Sequence, residues 1–381
     1  MKPLDGIRVL DLTRLLPGAV CTMILYDMGA EIIKIEAPNG GDYARWMPPM
    51  IDGLGAFFRS SNRGKKSVII DLKTAQGQSV LHKMVKSSDV VIEGFRPNVT
   101  QRLHVDYDTL KQINPRIIYC SLSGWGQDGP YRNVSGHDVN YVSCNGLLGA
   151  QETPQPLGGQ IADVGGSYVG VMGILGALFK RVTTGEGDYI DVALSESAMP
   201  FAMVAWVESY ITKRDRGNLS LTGGNAYYRV YTSKDDQPMA LGTIEPKFWA
   251  NFCKAVGKPE WIENYTAPER QPSLIQDLTA LFKTKTADEW GALLNNADCC
   301  FSLIMPPYAL ADDPHIQARE MVGVTDDGVP WMRSPIRFSE DKIDLQPAPE
   351  YGADTHAVLS SFGYSDDTLA QLNRDGIIQQ A

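Results

Sequence analysis

The chain contains no C-x-x-C pair. Its six cysteines (Cys21, Cys120, Cys144, Cys253, Cys299 and Cys300) have no histidine at ligand spacing, so neither a zinc site nor a disulfide framework is predicted. Reduced thiols fit a cytoplasmic location. The loop after the first strand, Thr13-Arg14-Leu15-Leu16-Pro17-Gly18, lacks the G-x-G-x-x-G that brings a pyrophosphate against the backbone, which removes the main support for a nicotinamide or flavin cofactor. No G-x-x-x-x-G-K-[ST] is present either. Positive charge is not in excess: 35 Lys and Arg against 45 Asp and Glu give a net charge of -10, which disfavours a nucleic-acid partner. No signal segment, peroxisomal tripeptide or bilayer-length apolar run is expected, and so no membrane. With 381 residues, 43% of them hydrophobic, the chain can bury at least one full core and is expected to form two domains.

What is present is alternation. Ile7 to Leu12 reads as a strand, Ala19 to Met28 as a helix ended by Gly29, and Glu31 to Glu36 as a second strand. The pattern repeats with a strand at 67–72, a helix at 75–86, a strand at 90–95, mostly helix over 99–113 and a strand at 117–121. This predicts an α/β fold with a Rossmann-like, doubly wound, mostly parallel sheet. Residues 163–181 read as one long helix carrying five glycines, which costs helix propensity and calls for close packing or close approach of a ligand. A strand at 189–192 and a helix at 196–212 follow. The polar stretch 214–224 marks a boundary, giving a large domain of 1–213 completed by 325–381 and a smaller α+β domain of 214–324. The smaller domain carries a hairpin at 227–231 and 239–242, and helices at 246–256 and 286–295, the last opened by a Thr286-x-x-Glu289 capping box.

Three residues stand out chemically. His137 follows Gly136 and lies past the carboxyl end of a parallel strand, where open α/β sheets place ligands; His82, His104, His315 and His356 read as solvated or structural. Asp163 opens the glycine-rich helix, either as a plain N-cap or as an acid whose charge the helix end favours and desolvation opposes. Glu245, in Thr243-Ile244-Glu245-Pro246, is either an exposed first-turn acid or the partner that fixes the His137 tautomer. Together they suggest proton transfer, with a metal neither indicated nor needed.

The segments Leu122-Ser123-Gly124-Trp125-Gly126-Gln127-Asp128-Gly129-Pro130, Gly136-His137-Asp138-Val139-Asn140-Tyr141, Ala162-Asp163-Val164-Gly165-Gly166 and Gly242-Thr243-Ile244-Glu245-Pro246 together resemble the class III CoA-transferase (CaiB/BaiF) family, and within it the racemase branch. The likeness runs over nearly the whole chain. It implies His137 and Asp163 as opposed acid/base groups with Glu245 beside His137. It also implies an acyl-CoA substrate with no prosthetic group, a CoA site drawing on Ile70, Asp71, Leu72, Lys73, Arg96, Gly136, Asp138, Asn140 and Tyr141, and an interlocked homodimer. Lys34 is a further candidate for a phosphate contact; Lys65 and Lys66 are not chosen. The racemase branch often has Arg where this chain has Ala37, so the phosphate contact carried by that Arg lacks its residue here. The implied reaction is inversion at the α-carbon of a 2-methylacyl-CoA through an enolate met by backbone N–H groups at the Asp163 helix start; the alternative is CoA transfer with Asp163 as nucleophile. Met199 and Met203, one helical turn apart, read as core, or by the resemblance as an apolar wall for the acyl chain.

Overall fold

Short β-branched runs in the first half of the chain, Arg8–Leu12 (β1), Glu31–Glu36 (β2), Lys66–Ile70 (β3), Val90–Glu93 (β4), Ile118–Ser123 (β5) and Asp188–Ala193 (β6), pair in parallel. The structure is a computed structural model and describes every residue except 215, 218, 264, 340–342 and 381. A seventh strand, Ile378–Gln379, pairs antiparallel with β3, so the sheet runs Ile378–Gln379, β3, β2, β1, β4, β5, β6. The chain steps outward from β1 to β3, returns to β4 on the other side of β1, and steps outward again. The β1/β4 boundary is therefore the switch point, beyond whose carboxyl ends such sheets place ligands.

Alternating side chains of the strands feed two cores. Leu10, Ile33, Val68, Val91 and Tyr119 pack under the helices Ala75–Val85, Tyr107–Ile113, Thr355–Ser361 and Asp366–Arg374. Val9, Ile32, Ile92, Cys120 and Leu122 pack under Leu15–Asp27 (α1) and Ile161–Thr184 (α2). The glycines of α2 are explained by closeness: an added Cβ would lie 2.2 Å from Leu194 Cδ2 at Gly166, 3.0 Å from Leu122 Cδ2 at Gly170 and 2.8 Å from Ile190 Cγ2 at Gly173. Gly166→Ala should therefore lose about 1–3 kcal/mol by overpacking, although Ala gains roughly 1 kcal/mol of helix propensity. Urea unfolding midpoints check the sign.

Several expectations shift. The strand expected over 67–72 ends at Ile70, and Asp71 N donates to the carbonyl of Ile377. The long helix begins at Ile161 rather than Asp163. By length and composition α2 could also cross a bilayer, contrary to the reading that no such run exists; one side of it is buried on α1 and the sheet.

The chain divides into two compact units, Met1–Tyr141 with Gly159–Ala198 and Ala311–Ala381, and Val142–Gly158 with Met199–Leu310. The second unit thus takes in 142–158 and 199–213, which the sequence reading gave to the first, because those residues pack with the later ones, and it ends at Leu310, so that 311–324 belongs to the first unit. Its three-stranded antiparallel sheet joins Tyr228–Thr232, Pro238–Gly242 and Phe301–Leu303, the last unforeseen. Trp249, Phe252, Leu278, Phe282 and Trp290 fill its core. The capping box forms as the sequence predicts, with Thr286 Oγ1 accepting from Glu289 N at 3.3 Å and Glu289 Oε2 accepting from Thr286 N at 2.8 Å. Gln271–Phe282 is a helix that the sequence reading did not identify, with Pro272 in its first turn, where a missing N–H costs nothing.

Candidate active site

The loop that leaves the carboxyl end of β5 builds the site from backbone constraints. Gly124 has no room for a side chain, since an added Cβ would sit 2.3 Å from Tyr141 Oη. Tyr141 Oη donates to the carbonyl of Gly136 at 2.7 Å, and the Tyr141 ring meets Trp125 edge-on at 5.1 Å. His137 N donates to Asn140 Oδ1 at 3.0 Å, while its carbonyl accepts from Asn140 N and Tyr141 N. The six residues Gly136 to Tyr141 are thus the start of the helix Asp138–Cys144, and Asn140 and Tyr141 fix its geometry. His137 itself is exposed.

Asp138 joins this helix start to the next. Its Oδ1 accepts from Ala162 N at 2.7 Å and Asp163 N at 3.1 Å, so the residue after His137 holds the first turn of α2. Two expectations are corrected by this geometry. Asp163 is not the N-cap, because Asp138 takes the capping role from a distance in sequence. The same two N–H groups, expected to meet an enolate, are already occupied. Among the described residues no hydrogen-bond donor reaches the Asp163 carboxyl. Burial first, and the negative charge of Asp138 second, push the Asp163 pKa up to about 7, where a carboxyl can both give and take a proton.

A second acid with raised pKa lies at the carboxyl end of β4. Glu93 is buried, and desolvation lifts it to about 7 even though Ser121 Oγ and Phe95 N (2.7 Å) donate to it. Sequence reasoning passed over Glu93, whose only signal was a charge closing the strand Val90-Val91-Ile92. Arg96, three residues on, is exposed and donates to Ser135 Oγ at 3.0 Å. Lys73 is exposed as well, whereas Ile70 is in the core; Leu72 is half-buried, and Asp71 Oδ1 accepts from Lys73 N in a tight turn.

Lys34 departs from its expected part. Its side chain is fully enclosed, with the ammonium 2.8 Å from Asp42 Oδ2, 3.0 Å from the Thr13 carbonyl and 4.0 Å from Asp11 Oδ2. It is a core cation, and its contacts are spent within the protein. Ala37, at the position of the missing Arg, accepts from Tyr351 Oη through its carbonyl at 2.6 Å.

In the second unit Glu245 is exposed at the N-cap of Pro246–Ala255, and its side chain makes no capping bond. The loop bearing it is fixed by Thr243 N to the carbonyl of Tyr227 at 2.8 Å and by Tyr265 Oη to the carbonyl of Ile244 at 2.7 Å. Met199 and Met203 are about half exposed, at 50% and 57%, so the core reading of this pair fails. Among the described residues no group of three or more His, Cys, Asp or Glu is arranged to hold a metal ion.

A mostly parallel sheet of this order is an α/β fold of the kind that places ligands beyond the carboxyl ends of its strands, and an acid of raised pKa stands at the mouth of α2. The model of CoA-transferase family III matches residues 4–355, and the chain belongs to that family. Human alpha-methylacyl-CoA racemase is 31% identical over 386 residues, covering 99% of this chain and 97% of its own. Formyl-CoA:oxalate CoA-transferase of Escherichia coli is 30% identical over 417 residues, covering 99% of each. The crystal structure of a CAIB/BAIF family protein from Brucella suis superimposes with a TM-score of 0.81 at 29% identity, covering 95% of this chain and 99% of that one.

Proposed function

We propose that the chain is an acyl-CoA racemase that inverts the α-carbon of 2-methyl-branched acyl-CoA thioesters by two-base proton transfer. The observation that carries this is the tie between His137 and Asp163: the residue beside the imidazole grips the helix start of an acid raised to about 7. The thioester acidifies the α-proton, one group removes it, a planar enolate forms, and the other group returns a proton to the opposite face. His137 neutral with Asp163 protonated serves one enantiomer; the reversed charge state serves the other. Arg96, Lys73 and the Gly136–Tyr141 segment receive the CoA portion, which is part of the substrate. The enzyme needs no prosthetic group and works in the cytoplasm.

The same reading includes an interlocked homodimer in which Glu245 of one subunit orients His137 of the other. It is supported by large apolar side chains left open on two helices, Phe179 and Val182 on α2 and Trp206 and Ile211 on Met203–Thr212.

A second reading is CoA transfer, with Asp163 as the nucleophile that passes through a mixed anhydride to an aspartyl-CoA thioester. It is favoured by an Asp163 carboxyl that no donor among the described residues reaches, and by the transferases among the relatives. Incubation of one enantiomer of a 2-methylacyl-CoA in deuterium oxide separates the two. The racemase exchanges the α-hydrogen and loses optical purity with no second acid present. Absence of exchange, with CoA moving to an added carboxylic acid, would establish the transferase instead.

A further inference from the structure

Two carboxylates share one helix end here, and they do so unequally. Asp138 reaches the start of α2 from the neighbouring helix and takes the N–H groups of Ala162 and Asp163 on a single oxygen. Asp163, one residue inside the same turn, receives no hydrogen bond on its side chain from the described residues, at the same positive end of the helix dipole. A first-turn carboxylate is ordinarily stabilised as an anion by those free N–H groups. In this chain that support is already spent, and a second negative charge stands close by.

We propose that Asp138 is a positioning residue that governs the proton on Asp163, denying it the helix N–H groups while placing a like charge beside it. This deepens the preceding section, since it rests on Asp163 as a proton carrier, but its physical content holds equally for a nucleophile. The other charged groups around α2 do not supply the effect. On β6, Asp188 is paired with Lys180 and Asp191 accepts from Gln127 N; Glu196, on the short helix after β6, is solvent-exposed; Asp27 at the far end of α1 is held by Arg63. Arg96 reaches Ser135 and lies near Tyr141, which also faces Asp163. His137 adjoins Asp138 in sequence. Of all these groups, Asp138 is the one whose carboxylate is hydrogen-bonded onto the first turn of α2, beside Asp163.

The test separates charge from hydrogen bonding. Asp138→Asn keeps an oxygen that can accept from both N–H groups but removes the charge; Asp138→Ala removes both. The Asp163 carboxyl is followed directly by carbon-13 NMR on the full-length protein labelled at aspartate Cγ, with Asp163→Asn giving the assignment. The unmodified protein should titrate at Asp163 near pH 7. Asp138→Asn should bring that midpoint down by about one unit, because a like charge is lost while burial stays. Asp138→Ala should lower it at least as far, since the freed N–H groups can then turn to Asp163. The pH profile of deuterium exchange should move toward acid in step. A midpoint unchanged in Asp138→Asn, or one near the ordinary aspartate value in the unmodified protein, would overturn the proposal; the second result needs no variant to fold. Midpoints that move as described without any exchange activity would leave the tuning in place and remove the racemase reading.

Discussion

Asp163→Asn is expected to abolish α-proton exchange while making the protein more stable above neutral pH. Loss of a positioned acid/base group costs roughly 100- to 10,000-fold in rate, and Asn can neither give nor take the proton. The gain in stability follows from the same burial. Asp163 has its pKa raised from 3.8 to about 7 in the folded chain, so it folds without penalty below about pH 4, where it is protonated in both states. As pH rises through that window the unfolded chain ionises first, and stability is lost until the folded group ionises as well. At pH 8 the accumulated cost is on the order of 2–4 kcal/mol, which Asn removes. Urea unfolding at pH 5 and pH 8 should show the variant's advantage growing with pH. His137→Ala should lose activity to a similar degree with stability nearly unchanged, because its side chain is exposed. An Asp163→Asn protein that still exchanges the α-hydrogen at the normal rate would remove Asp163 from the mechanism.

Lys34→Met should be the most damaging single change to the fold. The ammonium of Lys34 sits among Asp42, Asp11 and the Thr13 carbonyl with no solvent access, and Asp11 is shared with the buried Lys65, 3.6 Å away. Beside them Arg45 grips Glu36 through Nε at 2.9 Å and Nη2 at 2.7 Å and stacks on Phe58. Removing one member strands the others' charge in the interior, which costs about 3–5 kcal/mol. Lys66→Met is the control. Its ion pair with Glu31 is exposed, and such pairs contribute only about 0–1 kcal/mol. The pH dependence has a definite sign. Burial pushes the Asp42 pKa up, but the charge and hydrogen bond of Lys34, with the N–H groups of Ala44 and Leu15, hold it below the ordinary value, so this contribution is present above the unfolded aspartate pKa and fades as acid protonates Asp42. The difference between Lys34→Met and the parent should therefore shrink in acid.

The contrast between Lys34 and Asp163 marks how far the chain could be read in one dimension. Strand and helix periods placed β1 to β6 and α2 to within a few residues, because each element's apolar spacing is a local property. The place of Asp163, an acid in the first turn of a helix, was legible from the sequence. Its tuning was not, since the cap comes from Asp138, 25 residues earlier, and spacing does not reveal which N–H groups a carboxylate will find. Glu93 escaped notice because a strand-ending Glu looks solvated until neighbouring strands bury it. Lys34 misled for the matching reason: in Glu31-Ile32-Ile33-Lys34-Ile35-Glu36 a lysine looks available to phosphate, and only the fold brings Asp11 and Asp42 around it.

By itself, the sequence determined the alternating elements and the family, both of which follow from residue type and local spacing. The tertiary structure alone decided which charges are buried, which carboxylate caps α2 and where 142–158 and 199–213 pack. Those depend on contacts between segments far apart in the chain, and desolvation, which sets the charge state, exists only once those segments have come together.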